Sequence, residues 1–175
     1  MKNSLSSNRR GFTLIELIIV IAIIAVIAAG VFVALDPVKR LNAGRNATRW
    51  TDVTSIISAL KLAQTDSATG ALLVSDPPIT PGQYQVIGTA TSACDTPACG
   101  ALTLQASCIK FRPGFAVYLP KTPWDPSQTA ANGVLESRYY VHQDSTTNAL
   151  TVGACDAQGE GPGGTGTPPT ITVTQ

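Results

Sequence analysis

The apolar positions fall into three regimes along the chain. From Leu17 to Leu35 the sequence reads LIIVIAIIAVIAAGVFVAL, 19 residues without a charge. A helix of that length reaches about 28 Å, close to the hydrocarbon thickness of a bilayer. A buried core helix is the alternative, but core helices carry a polar side and this segment has none. The pattern therefore predicts a membrane-inserted helix. After Pro37 the spacing remains helical but becomes amphipathic. Trp50, Val53, Ile57 and Leu60 recur as one stripe, widened by Ile56 and Ala63. Ser67–Ala68–Thr69 and Gly70 mark its end. Pro37 lacks an N–H and its ring obstructs the preceding turn, so two helices joined there, or one bent helix, are predicted. Either form would span about 80 Å. Gly30 loosens the apolar run locally.

From residue 71 the periodicity shortens and proline, glycine and threonine become frequent. The runs QYQVIG, LTLQAS, FAVYL, RYYVHQ and ALTVGA read as strands. The last two, separated by Asp144–Asn148, read as a hairpin. It places Tyr139 and Val141 on one face and Tyr140 and His142 on the other. A small antiparallel sheet packed on the helical stripe follows, because neither surface buries itself alone. Residues 161–175, GPGGTGTPPTITVTQ, read as a flexible tail, with TITVT the one stretch in it able to add a strand.

The formal charge of +1 includes Lys2, Arg9 and Arg10. Without residues 1–11, nine basic and eleven acidic side chains remain, or −2. That balance predicts no specific nucleic-acid partner. Lys39, Arg40, Arg45 and Arg49 read as a solvated or headgroup-facing surface. Asn46 opens an N-A-T sequon, discounted because it lies in a helix. By the positive-inside rule the N-terminus stays in the cytoplasm and the remainder lies outside. The apolar run is long for an ordinary signal peptide, although Ala28–Ala29–Gly30 supplies a small-residue cleavage site for that alternative.

One feature does not suit a disposable signal. Glu16 lies two residues inside the apolar block, where a carboxylate costs up to about 3 kcal/mol at helix centre and less near the interface. The stretch RRGFTLIELIIVIAIIAVIA resembles the type III signal of type IV pilins and of the pseudopilins of type II secretion. The likeness covers about the first 50 residues strongly and the rest in outline. It implies cleavage between Gly11 and Phe12 on the cytoplasmic face by a prepilin peptidase, which then methylates the amine of Phe12. It also implies that Glu16 acts in assembly, pairing with a neighbour's Phe12 amine. Such a pair would set the register of apolar helices that otherwise slide, an unpaired buried charge being strongly disfavoured. The alternative is that Glu16 merely snorkels to the interface. In that family the helix proline stands earlier, where this chain has Val33, so the bend is expected further out. The order YLPKTPWDP then RYYVHQ is similar to that of some pilins and major pseudopilins.

Four cysteines, Cys94, Cys99, Cys108 and Cys155, lie outside the membrane in this reading, which favours two disulfides. Cys94–Cys99 and Cys108–Cys155 are the expected pairs. A zinc site is disfavoured by the missing C-x-x-C and the lone His142. No nucleophile motif or phosphate loop appears, so no enzyme activity is expected. Asp125, Asp144, Asp156 and Glu160 would offer oxygen ligands, and major pseudopilins bind calcium near their sheet loops. Their spacing is not that of an EF-hand, so they read as turn-forming acids, and no cofactor is expected, with calcium as the alternative.

The expected class is therefore α+β, a long N-terminal helix on a small antiparallel sheet. The divisions are a leader at 1–11, an apolar helix at 12–36, its continuation at 37–70, a sheet domain at 71–160 and the tail. The expected function is that of a prepilin, a structural filament subunit with the peptidase, the membrane, its own copies and other pilins as partners. It would be single-pass in the cytoplasmic membrane before assembly and periplasmic or extracellular after it. Rivals are a pseudopilin of secretion or DNA uptake, a membrane-anchored extracellular binding protein, and a secreted hydrolase.

Overall fold

The protein is described by a computed structural model covering residues 11–67, 75–91, 94, 99 and 108–175. It divides into two compact units, one ending at Pro37 and the other running Val38–Gln175. The first unit is essentially α1, Leu14–Leu35, with no buried residue in this chain. Its mean hydropathy reaches 3.3 over an 18-residue window, so it is long and apolar enough to cross a membrane. It stops at Asp36, whose φ of 40° is left-handed. The next helix, α2, Pro37–Asp66, opens with Pro37 at its first position. Proline disfavours helical backbone at the residue before it and suits a helix start.

The second unit is α2 followed by short strands. These are β1 (Ser75–Asp76), β2 (Tyr84–Val86), β3 (Lys110–Phe111), β4 (Tyr139–Gln143), β5 (Leu150–Ala154) and β6 (Thr172–Thr174), with a short helix α3 (Ala130–Leu135) before β4. One sheet has the order β2-β4-β5-β6, all antiparallel; β1 and β3 form a separate pair. The predicted hairpin is present, with Tyr139 opposite Ala154 and Gln143 opposite Leu150. Asp144 closes its loop by accepting the N–H groups of Thr146 and Thr147 at 2.8 and 2.7 Å, a short-range turn device of aspartate.

The core lies between α2 and one face of this sheet. Val53, Ile56, Ile57 and Leu60 meet Tyr139, Val141, Leu150 and Val152, all fully buried. On the other face Tyr140 joins Val86, Cys94, Cys99 and Cys108 in a second cluster. The alternation of β4 thus divides as its sequence predicts. Gly153 is required beneath Tyr140, since a Cβ there would lie 2.4 Å from the ring.

Three expectations are corrected. FAVYL is not a strand: Pro113–Val117 forms a 3-10 turn, which proline starts by fixing φ. The 161–175 segment is not a free tail. Thr172–Thr174, within its TITVT stretch, forms β6 on β5, and Ile171 is buried in the core with 1% exposure. The glycines before it permit close packing, because a Cβ on Gly164 would lie 2.5 Å from Val38. Trp50 is not in the packed stripe and is 42% exposed. The buried row is instead Asn42, Asn46, Arg49, Val53, Ile56, Leu60 and Ala63. The strand expected at LTLQAS and the helix stop at Gly70 lie outside the described residues.

Candidate functional site: the helix start and its carboxylate

Gly11, Phe12 and Thr13 precede α1 as non-helical, exposed chain, and Phe12 is 92% exposed. Among the described residues, nothing lies within 4 Å of a Cβ built on Gly11. The Gly11–Phe12 bond therefore lies on accessible backbone just outside the first turn. A helical bond would have to be unwound before a peptidase could grip it.

Thr13 is the N-cap, with extended backbone at φ −80° and ψ 152°. Its N–H and its hydroxyl both donate to Glu16 Oε2, at 2.9 and 2.8 Å. In return the Glu16 N–H donates to Thr13 Oγ1 at 3.3 Å. This reciprocal pattern is a capping box, in which two orphan donors of the first turn are satisfied by side chains. A carboxylate at a helix N-terminus also complements the helix dipole. The stretch T-L-I-E has the T-x-x-E spacing of that box, so the sequence itself carries the signal for this role of Glu16. Within a single chain the carboxylate has a local partner, which offsets part of the cost of carrying it at the edge of the apolar run.

The cysteines pair as Cys94–Cys108 and Cys99–Cys155, with Cα separations of 5.2 and 4.3 Å. The expected pairing is thus corrected. The reason is a long-range approach. Residues 86–90 run beside 108–109: the Ile109 N–H donates to the Val86 carbonyl at 2.8 Å and the Cys108 N–H to the Ala90 carbonyl at 3.2 Å. That brings Cys108 to Cys94 and leaves Cys99 for Cys155 at the end of β5.

The four acids considered as calcium ligands are dispersed. Asp125 is paired with Arg49 at 2.6 Å, Asp144 caps the hairpin loop, Asp156 lies 3.8 Å from Arg138, and Glu160 accepts from Asn46 at 2.7 Å. Among the described residues no group of three or more His, Cys, Asp or Glu is placed to hold a metal. Asn46 is buried, and its side chain also donates to the Gln158 carbonyl at 2.7 Å, so the sequon is not accessible for glycosylation. His142 stacks on Tyr84 with ring centroids 4.3 Å apart.

The comparisons with known proteins bear on the N-terminal segment. The family model of the prokaryotic N-terminal methylation motif matches residues 6–32. Neither a curated protein nor a solved structure matches the chain. The matched segment holds Gly11, Phe12 and Glu16 and most of α1. The chain thus carries a prepilin-type signal, typical of type IV pilins and pseudopilins, ahead of an α+β domain of pilin-like arrangement.

Proposed function

We propose that the protein is a structural subunit of a type IV pilus-like filament. It is cleaved after Gly11, methylated on the Phe12 amine, and assembled through α1. The observation that carries this reading is the coupling of the methylation motif to a 22-residue helix none of whose residues is buried in its own chain. Before assembly the bilayer covers that surface; in a filament, neighbouring α1 helices replace the lipid. Glu16 then moves from its local partner, Thr13, toward the cationic amine of an adjacent Phe12, which cleavage creates. The pair marks register among side chains that otherwise slide with little penalty.

Mass spectrometry of the N-terminus tests the processing half. A mature chain beginning with N-methyl-Phe12 is the expected result, whereas an intact Met1 would leave a simple anchor and a start beyond Ala28 a secreted protein. Imaging surface filaments in cells with and without the chain tests the assembly half. Filaments that contain the chain and vanish with it support a pilus; their persistence without it would refute the role of main subunit.

A further inference from the structure

We propose that the recess beside Trp124 in the sheet domain is a binding site for a small carboxylate with a flat, apolar body. The recess holds about 290 Å³, a single-ring volume near the lower end of ligand pockets. Ile87, Ile109 and Phe111 give it an apolar lining, and Trp124 forms a wall. Lys110 and Lys121 stand at the same recess, and no Asp or Glu is among the described residues that line it. Neither lysine is in an ion pair among the described residues. Asp76 stands opposite Lys110 across the β1–β3 pair, so Lys121 carries the unbalanced positive charge at the recess, which fits an anion.

The wall is held in place before any ligand arrives. A Cβ on Gly133 would lie 2.4 Å from Trp124, so only glycine admits the indole against α3. The next residue, Asp125, is locked by Arg49 and by its own N–H, which donates to the Ser137 carbonyl at 2.9 Å. Lys121 Nζ sits 4.2 Å from the centre of the indole ring, a cation–π contact that keeps the ammonium at the recess. A preorganised aromatic wall and a fixed cation lower the ordering cost of binding. The apolar lining receives the ligand's ring, and the ammonium groups receive its carboxylate. This site does not depend on processing or assembly of the N-terminal helix.

The test is a fluorescence titration of the full chain in detergent micelles. The chain has two tryptophans, so a Trp50→Phe background leaves Trp124 as sole reporter. The probes are benzoate, its uncharged analogue benzamide, and glucuronate, which carries the charge on a hydroxylated ring. Benzoate is expected to give a saturable change with Kd of about 1 mM or tighter, and benzamide to bind about tenfold more weakly. Lys121→Met is expected to weaken benzoate about fivefold while Lys121→Arg retains it, because the guanidinium keeps both the charge and the stacking. Lys110→Met, an exposed position on β3, gives a second test should Lys121→Met fail to fold. No saturation with benzoate, equal binding of benzamide, or no loss in Lys110→Met and Lys121→Met would overturn the site. Glucuronate binding more tightly than benzoate would overturn the apolar-body assignment.

Discussion

Arg49 and Asp125, 76 positions apart, meet as a two-pronged ion pair with no exposed surface on either side chain. Arg49 Nε donates to Oδ2 at 2.6 Å and Nη2 to Oδ1 at 2.9 Å. Arg49 Nη1 also donates to Asn46 Oδ1 at 2.7 Å, and the Ser127 N–H and hydroxyl donate to Asp125. One turn further along α2, the Tyr139 hydroxyl donates to Asp52 at 2.7 Å. The apolar half of α2 thus holds the sheet, while its first half fixes loops by polar contacts, including Asn42 to the Gly159 carbonyl at 2.8 Å.

Removing one member of the pair strands the other in the interior. Arg49→Met or Asp125→Leu alone is expected to destabilise the domain by about 3–5 kcal/mol, and the double variant by clearly less than the two losses combined. Denaturant unfolding of the full chain in micelles measures all three. Additive losses would show that the two side chains act independently.

The same pair predicts acid sensitivity. Burial pushes the Asp125 carboxyl up, but hydrogen bonds from Arg49 and Ser127 outweigh it and hold the group below the usual carboxylate range. A folded-state pKa below the unfolded one gives stability that is present above the unfolded value, about 3.9, and lost as pH falls toward the folded value. Asp52 has the opposite sign, raised chiefly by burial, so it partly masks the effect. The drop in unfolding midpoint from neutral pH to about pH 3 should therefore shrink in Asp125→Asn. An unchanged drop would place the acid sensitivity elsewhere.

Glu16 caps α1, and the proposed function gives it a second, separable role in assembly. Glutamine at the third helical position preserves a capping box, whereas it cannot balance a cation. Glu16→Gln protein is expected to be cut after Gly11, to remain in the membrane, and to be absent from filaments. Glu16→Leu should show the same assembly defect and lose about 1 kcal/mol of helix-start stability as well. Filament yield at the natural level from Glu16→Gln, in cells with no other copy, would mean that capping alone is what the carboxylate supplies. Gly11→Val should block the cut upstream of all this, leaving an inserted chain that retains residues 1–11.

Non-reducing peptide mapping should link Cys94 to Cys108 and Cys99 to Cys155. In the chain-entropy model the wider loop, with 56 residues of separation, contributes about 4 kcal/mol and the narrower, with 14, about 3 kcal/mol. Cys99→Ser/Cys155→Ser should therefore lower the unfolding midpoint more than Cys94→Ser/Cys108→Ser. The reverse order would mean that local packing, and not loop closure, sets the two contributions.

The C-terminal strand is part of the fold. Ile171→Ala is expected to cost about 2–5 kcal/mol, the range for a fully buried side chain cut back to a methyl. Thr170→Ala, on an exposed neighbour, should change stability by less than about 0.5 kcal/mol. Equal small effects at both positions would return the segment to a loose tail.

Local pattern determined much of this protein. The apolar run, the break at Pro37, the hairpin around Asp144 and the division of Tyr139 and Val141 from Tyr140 and His142 all follow from periodicity, proline geometry and strand alternation. Those signals concern neighbours in the chain, and so did the Thr13–Glu16 box. Tertiary structure decided the rest. Arg49 reads as a solvated cation until Asp125 meets it, and once 49 turns inward, Trp50 turns out by about 100° because a helix has 3.6 residues per turn. The cysteine pairs depend on how residues 86–90 lie along 108–109, which spacing does not encode. The Gly-rich approach to β6 looks like a linker by composition. It packs because Val38 and Asn42 of α2 lie where a Cβ on Gly164 would be, a surface that only the folded chain brings to it.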